Sequence, residues 1–195
     1  MNRARVEAFT DAVVAIIMTI MVLEFKVPES PRLTAILAEL PYLFAYLVSF
    51  LFIGVAWYNH HYMFARAQRI SKRVYWVNNF WLFTMSLLPV ATAWAGEYLS
   101  ARGPEFFYLM VFFAWSVAYW GLTRALIADH RGTPVAAQLA SMPPYRFMNS
   151  WRLLTFTLVL AVVVYFYPPA CLIATLGELI YMALHTTADS DRVVA

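Results

Sequence analysis

Apolar residues fall in long blocks along this chain, and the polar residues collect between the blocks. A helix crossing a bilayer needs about 20 mostly apolar residues. The blocks predict six such spans, at about 6–27, 41–64, 74–95, 106–127, 150–167 and 169–185. The first ends before Pro28, because proline turns the residue ahead of it away from helical geometry. Pro89 inside the third predicts a kink, since it brings no N–H to the helix ladder. Residues 29–39 read as a short connector and 96–105 as a polar turn marked by Gly103-Pro104. Residues 128–149 form the longest loop, with room for an interfacial helix. Pro168-Pro169 makes a tight turn into the last span, and 186–195 reads as a polar, poorly ordered tail. The pattern therefore predicts an all-α integral membrane protein, with residues 1–195 as a single six-helix domain and no internal repeat.

Composition sharpens this. The chain is 63% hydrophobic and 13% charged, where a soluble domain is about half apolar and a quarter charged. That excludes a soluble enzyme domain, a disordered tail and a disulfide scaffold. The single cysteine, Cys171, has no second one in the chain to bridge to. Arg3 and Arg5 ahead of an apolar run imitate an export signal. Glu7 and Asp11 interrupt that run, however, and Glu24 and Lys26 close it without a small-residue cleavage pattern, so the first helix is expected to be retained.

The net charge of +3 reads as orientation rather than nucleic-acid binding. Arg3, Arg5, Arg66, Arg69, Lys72, Arg73, Arg124, Arg131, Arg146, Arg152 and Arg192 fall on one side, eleven of the fourteen basic residues. Lys26, Arg32 and Arg102 fall on the other. The bias puts both termini in the cytoplasm, consistent with an even number of spans, and the chain is expected in the cell (inner) membrane.

Ionisable groups within a span cost roughly 2.5 to 3.5 kcal/mol at mid-depth, so each is a candidate site. Asp11 lies early in the first helix, near Arg5 and Glu7. The second helix carries Trp57, Asn59, His60 and His61 towards its cytoplasmic end, and the third begins with Asn78 and Asn79. Asp11, His60 or His61, and Asn78 or Asn79 are expected at one depth, where they can meet in a hydrogen-bonded network between three helices. Adjacent histidines point about 100° apart on a helix and cannot both face one metal ion. Glu178 in the sixth span reads either as a proton relay or as a group facing a polar crevice. No phosphate loop, nucleophile elbow or acid pair is present, so no enzyme and no cofactor are predicted.

In the first helix, Phe9, Val13, Ile16, Ile20, Leu23 and Val27 recur at steps of three or four, with Thr19 beside them. Such a stripe faces lipid or neighbouring helices, unless several copies surround an axis. There, apolar rings gate a pore by dewetting.

Arg5-Val-Glu-Ala-Phe9-Thr10-Asp11, followed by Ala15-Ile16, Thr19-Ile20 and Leu23-Glu24, resembles the signature of the transmembrane protein 175 potassium-channel family. In that signature an arginine and three further residues precede Phe-Ser-Asp and an apolar pore helix; here Thr10 stands where serine is usual and keeps the hydroxyl. Trp57-Tyr-Asn-His60-His61 with Phe64, and Asn78-Asn79 with Leu87-Leu88-Pro89 and Gly96, match further on. The resemblance covers the first three helices. It implies a homotetramer in the bilayer whose four first helices line a central pore for potassium ions. Ile16 would then form the narrowest apolar ring, Ile20 and Leu23 further rings, and Thr19 would tune selectivity. Arg5, Phe9, Thr10 and Asp11 would hold the helix through Trp57, His60 and Asn78. With no TVGYG-like carbonyl filter, preference for potassium rests on the cost of stripping water in an apolar ring. The rival expectation is a proton-coupled transporter using Asp11, His60 and Glu178.

Overall fold

Why the apolar blocks become helices with particular ends is visible in their capping residues. The computed structural model describes residues 2–185, so the expected tail, 186–195, lies outside the described residues. Nine α-helices run through them: α1 Arg3–Ile20, α2 Leu40–Arg66, α3 Lys72–Met85, α4 Leu88–Glu97, α5 Arg102–Asp129, α6 Pro134–Ser141, α7 Pro143–Met148, α8 Trp151–Phe166 and α9 Ala170–His185. Ser71 and Ser150 start α3 and α8 by accepting the backbone N–H of Val74 (3.2 Å) and Arg152 (3.3 Å). Prolines open α2, α4, α6 and α7, where a missing N–H costs nothing. Gly132, at φ 80°, takes the left-handed conformation that turns the chain from α5 towards α6.

Several expected boundaries shift. The first helix stops short of Val27: α1 tightens into a 3-10 turn over Met21–Glu24. Pro28 accounts for this, because its ring would strike the Glu24 carbonyl four residues back. The connector 29–39 is not wholly irregular, since Leu33–Glu39 forms a 3-10 helix that runs into α2. The expected kink in the third span is a full break: α3 ends at Met85 and α4 begins at Leu88. Met85 is the residue whose carbonyl the Pro89 ring obstructs. The long loop holds two short helices, α6 and α7, rather than one.

The core lies between α2, α3, α4 and α5. Phe52, Trp81, Trp115 and Tyr119 are buried there, with Phe52 and Trp115 edge-on at 4.5 Å and Trp115 and Tyr119 stacked at 5.3 Å. Gly96 lets α4 approach α2, since a Cβ there would lie 2.9 Å from the Tyr42 Cα. Ser49 of α2 accepts from the Thr92 hydroxyl of α4 (2.7 Å) and bonds the Tyr108 hydroxyl of α5 (3.0 Å), fixing three helices at one buried point.

Three stretches are long and apolar enough to cross a membrane: Arg3–Glu24, Leu33–Arg66 and Arg102–Asp129. The helices α8 and α9 have 16 residues each, about 24 Å of helix against a hydrocarbon core of about 30 Å. The α8 surface is nevertheless apolar almost all round, with Leu154, Leu158, Val162 and Phe166 exposed. This is an all-helical membrane protein.

Candidate pore helix and its buried anchor

Helical rotation divides α1 into two faces. Val6, Thr10, Val14, Ile17 and then Met21 recur at steps of three or four and are buried against the bundle. Phe9, Ile16, Ile20 and Leu23 lie on the other side and are exposed, Ile16 to 55% and Leu23 to 77%. Thr19 is exposed on the same side, and its hydroxyl is turned back onto the carbonyls of Ala15 (2.9 Å) and Ile16 (3.0 Å).

Polar bonds lock the buried face. The His60 Nε2 lies 2.8 Å from Asn78 Oδ1, the Asn78 amide donates to the Thr10 hydroxyl oxygen (2.9 Å), and that hydroxyl donates to the Val6 carbonyl (2.9 Å). An amide oxygen only accepts, so His60 carries its proton on Nε2, and the relay runs one way from α2 through α3 to α1. All three side chains are buried. His60 is also held flat between Trp81 (4.9 Å) and Phe64 (4.1 Å).

Two clamps fix the ends of α1. The Arg3 guanidinium donates to the carbonyls of Ala65 (3.1 Å) and Ala67 (3.2 Å) at the end of α2, and pairs with Glu7 at 3.2 Å. At the far end the Tyr42 hydroxyl donates to the Met21 carbonyl. Just beyond α1, Lys26 pairs with Glu97 at 2.7 Å. The Lys26 ammonium holds the Glu97 carboxyl below the usual glutamate range.

This geometry corrects the expected network in three places. His60 and Asn78 enter it; His61 instead stacks on Trp57 at 6.0 Å, and the Asn79 amide donates to the Tyr75 carbonyl (2.8 Å). Asp11 is not part of it. Thr10 and Asp11 are 100° apart on the helix, so only Thr10 reaches the three-helix seam, and Asp11 accepts from Trp57 Nε1 at 2.7 Å near the surface. Among the described residues Arg5 makes no hydrogen bond to Trp57, His60 or Asn78: it is exposed, and Arg3, 200° round the helix, takes the anchoring place. Phe9 is exposed beside it. The Arg3 clamp and the Lys26–Glu97 pair were missed from sequence. Their one signal was that each partner falls at the matching end of its span.

The groups of the proton-coupled alternative do not converge. Glu178 lines a cavity of about 950 Å³ with Asn59, Tyr62 and Arg152, and neither Asp11 nor His60 reaches it. Among the described residues, no cluster of three or more His, Cys, Asp or Glu side chains could hold a metal ion.

An apolar helix locked by polar bonds on one side and bare on the other marks a membrane protein whose first helix keeps one apolar face uncovered by its own bundle. The sequence profile of the family described as the endosomal/lysosomal potassium channel TMEM175 matches residues 5–89, which hold the whole Thr10–Asn78–His60 relay. A protein described as a potassium channel from Chryseobacterium sp. (strain P1-3) is 39% identical over 127 residues, 65% of this chain and 66% of that one. Another so described, from Streptomyces collinus, is 36% identical over 132 residues, 62% of this chain and 64% of that one. The matched stretches thus span just under two thirds of these relatives' length. The crystal structure of a lysosomal potassium-selective channel TMEM175 homolog from Chamaesiphon minutus superposes with a TM-score of 0.78 at 28% identity, over 95% of this chain and 98% of that one. The chain belongs to the TMEM175 family.

Proposed function

We propose that this chain is a potassium-preferring cation channel that conducts passively through a homotetrameric pore in the cell (inner) membrane, both termini cytoplasmic. Each protomer contributes one domain, residues 1–195, with six spans, the third broken at Pro89. Four copies of α1 line the axis. Ile16 forms the narrowest ring and Ile20 and Leu23 further rings, while Thr19 next to Ile16 tunes selectivity. The permeant ion is potassium, and no cofactor takes part.

The observation that carries this reading is the free face of α1. Ile16, Thr19, Ile20 and Leu23 are exposed together on a helix whose opposite face is fixed by Thr10, Asn78 and His60. The relatives' descriptions as potassium channels support the choice of ion. A ring of isoleucines offers an ion no replacement ligands, so passage costs partial dehydration, and potassium gives up water more readily than sodium.

The test is flux from proteoliposomes down a potassium gradient and then a sodium gradient. Passive flux, faster with potassium and raised in Ile16→Asn with a smaller difference between the ions, is the expected result. Flux unchanged in Ile16→Asn, or a folded protein that remains monomeric, would overturn the shared pore.

A further inference from the structure

Beside α5, away from the relay, lies a cleft of about 620 Å³ lined by Arg73 of α3, Gly121 and Arg124 of α5, Arg131 beyond it, and Tyr145 and Asn149 at α7. Its arginines come from three places in the chain, so the fold, and not a run of basic sequence, brings them together. Arg73 spends one N–H on Asp129 Oδ1 at 2.9 Å. Arg124 lies over the Trp120 ring, 5.1 Å from its centroid. Arg131 has no hydrogen bond or ion pair among the described residues. The Asn149 oxygen accepts from Trp120 Nε1 at 2.9 Å, which turns the amide's oxygen to the tryptophan and leaves its N–H groups to serve the cleft.

The cleft therefore presents three guanidinium groups and an amide, all donors. Asp129 is the carboxylate beside them, and it is held by Arg73, with its second oxygen buried. A surplus of two positive charges remains. Gly121 puts no side chain on the floor, where a Cβ would rest in ordinary contact with Val77 Cγ1 at 3.5 Å. Forked donors converging on an open floor match an anion with several acceptor oxygens, which a guanidinium grips through paired bonds. Chloride would use only the charge.

We propose that this cleft is a binding site for a phosphate-bearing anion, the chemistry shared by an anionic phospholipid headgroup and a soluble phosphate.

The full chain in phosphatidylcholine nanodiscs tests this by binding and thermal stability in two arms. One adds inorganic phosphate against chloride at constant ionic strength; the other replaces part of the phosphatidylcholine with phosphatidylglycerol. Arg124→Gln with Arg131→Gln should weaken binding of the effective probe by about tenfold or more, since removing one charge-assisted hydrogen bond changes affinity by roughly that factor. Gly121→Leu, which fills the floor without touching a charge, should do the same, so the result stands if one variant fails to fold. Binding by phosphatidylglycerol alone assigns a lipid headgroup, and binding by phosphate alone a soluble ligand; either supports the site. No binding in either arm, or binding undiminished in both variants, overturns it.

Discussion

Replacing Thr10 by valine removes one hydroxyl at almost constant volume, and the relay makes its effect calculable. The Thr10 oxygen is the acceptor for the Asn78 amide at 2.9 Å, both groups are buried, and no water can substitute. Thr10→Val thus leaves one buried N–H without a partner, at about 1 to 2 kcal/mol. Asn78 makes two such bonds, so Asn78→Leu also orphans the His60 Nε2 proton, for roughly 2 to 4 kcal/mol in total. The diagnostic quantity is the double variant. Once Asn78 is leucine, no donor faces position 10, and Thr10→Val should add almost nothing. The coupling between the two sites should therefore be about 1 to 2 kcal/mol, above the roughly 0.6 average for hydrogen bonds between membrane helices. Thr10→Ser keeps the acceptor and should stay close to the native protein. Reversible unfolding in mixed micelles, read by tryptophan fluorescence, measures all four. If Thr10→Val lies within about 0.3 kcal/mol of the native chain, or the single effects simply add, the relay does not hold α1.

Two further outcomes follow from the packing. Gly96→Val should lower stability by about 1 to 3 kcal/mol, as overpacking does, because its Cβ would sit 2.9 Å from the Tyr42 Cα, which is backbone and cannot swing aside; thermal unfolding of the purified protein checks it. The Glu97 carboxyl is held low by Lys26, so this pair contributes above the ordinary glutamate pKa and is lost as pH falls through the depressed value. Carboxyl-resolved NMR titration should place the Glu97 midpoint below about 4.3, and Lys26→Met should move it upward.

How much of this was legible in the chain depends on the residue. The depth of the relay was readable, because aspartate, histidine and asparagine stand out in apolar spans and the helix lengths align them; Thr10 entered only through the family resemblance. Which neighbour entered it was not. His60 and His61, or Asn78 and Asn79, differ by 100° of rotation, and the azimuth of each helix is set by packing of Trp81, Phe64 and Val14 that no local pattern records. The same rotation is why Asp11 meets Trp57, as the resemblance implied, but stays out of the buried relay, and why Arg5 is replaced by Arg3 at the anchoring place. Proline positions were informative, but the degree of disruption was not: Pro89 reads as a kink in sequence, whereas the structure ends α3 at Met85 and begins α4 at Leu88. The Arg3 clamp and the Lys26–Glu97 pair join residues 62 to 71 positions apart, beyond any periodicity.

A comparison of α1 with α8 says what the relay is for. Both expose an apolar face, but α8 exposes Leu154, Leu158, Val162 and Phe166 with only Leu153, Leu160 and Val164 buried, and its polar tie to the bundle is a cation–π contact at its end, Arg102 over the Tyr165 ring at 4.1 Å, rather than a buried hydrogen-bonded relay. A helix bathed in lipid needs no fixed azimuth, because every rotation of an apolar cylinder meets the same solvent. On α1 a turn of one residue, 100°, would exchange Ile16 for Ile17 and carry Thr19 off the free face. A pore is sensitive to that exchange, since its narrowest ring is defined by which side chain meets the axis. The buried Thr10–Asn78–His60 relay, with Arg3 and Tyr42 at the two ends, removes this freedom. It puts three polar side chains in the membrane interior, where burial is costly unless each finds a partner. That cost makes sense on a helix whose rotation has to be held, and it predicts that loosening the relay in Thr10→Val will blur ion preference before it abolishes flux.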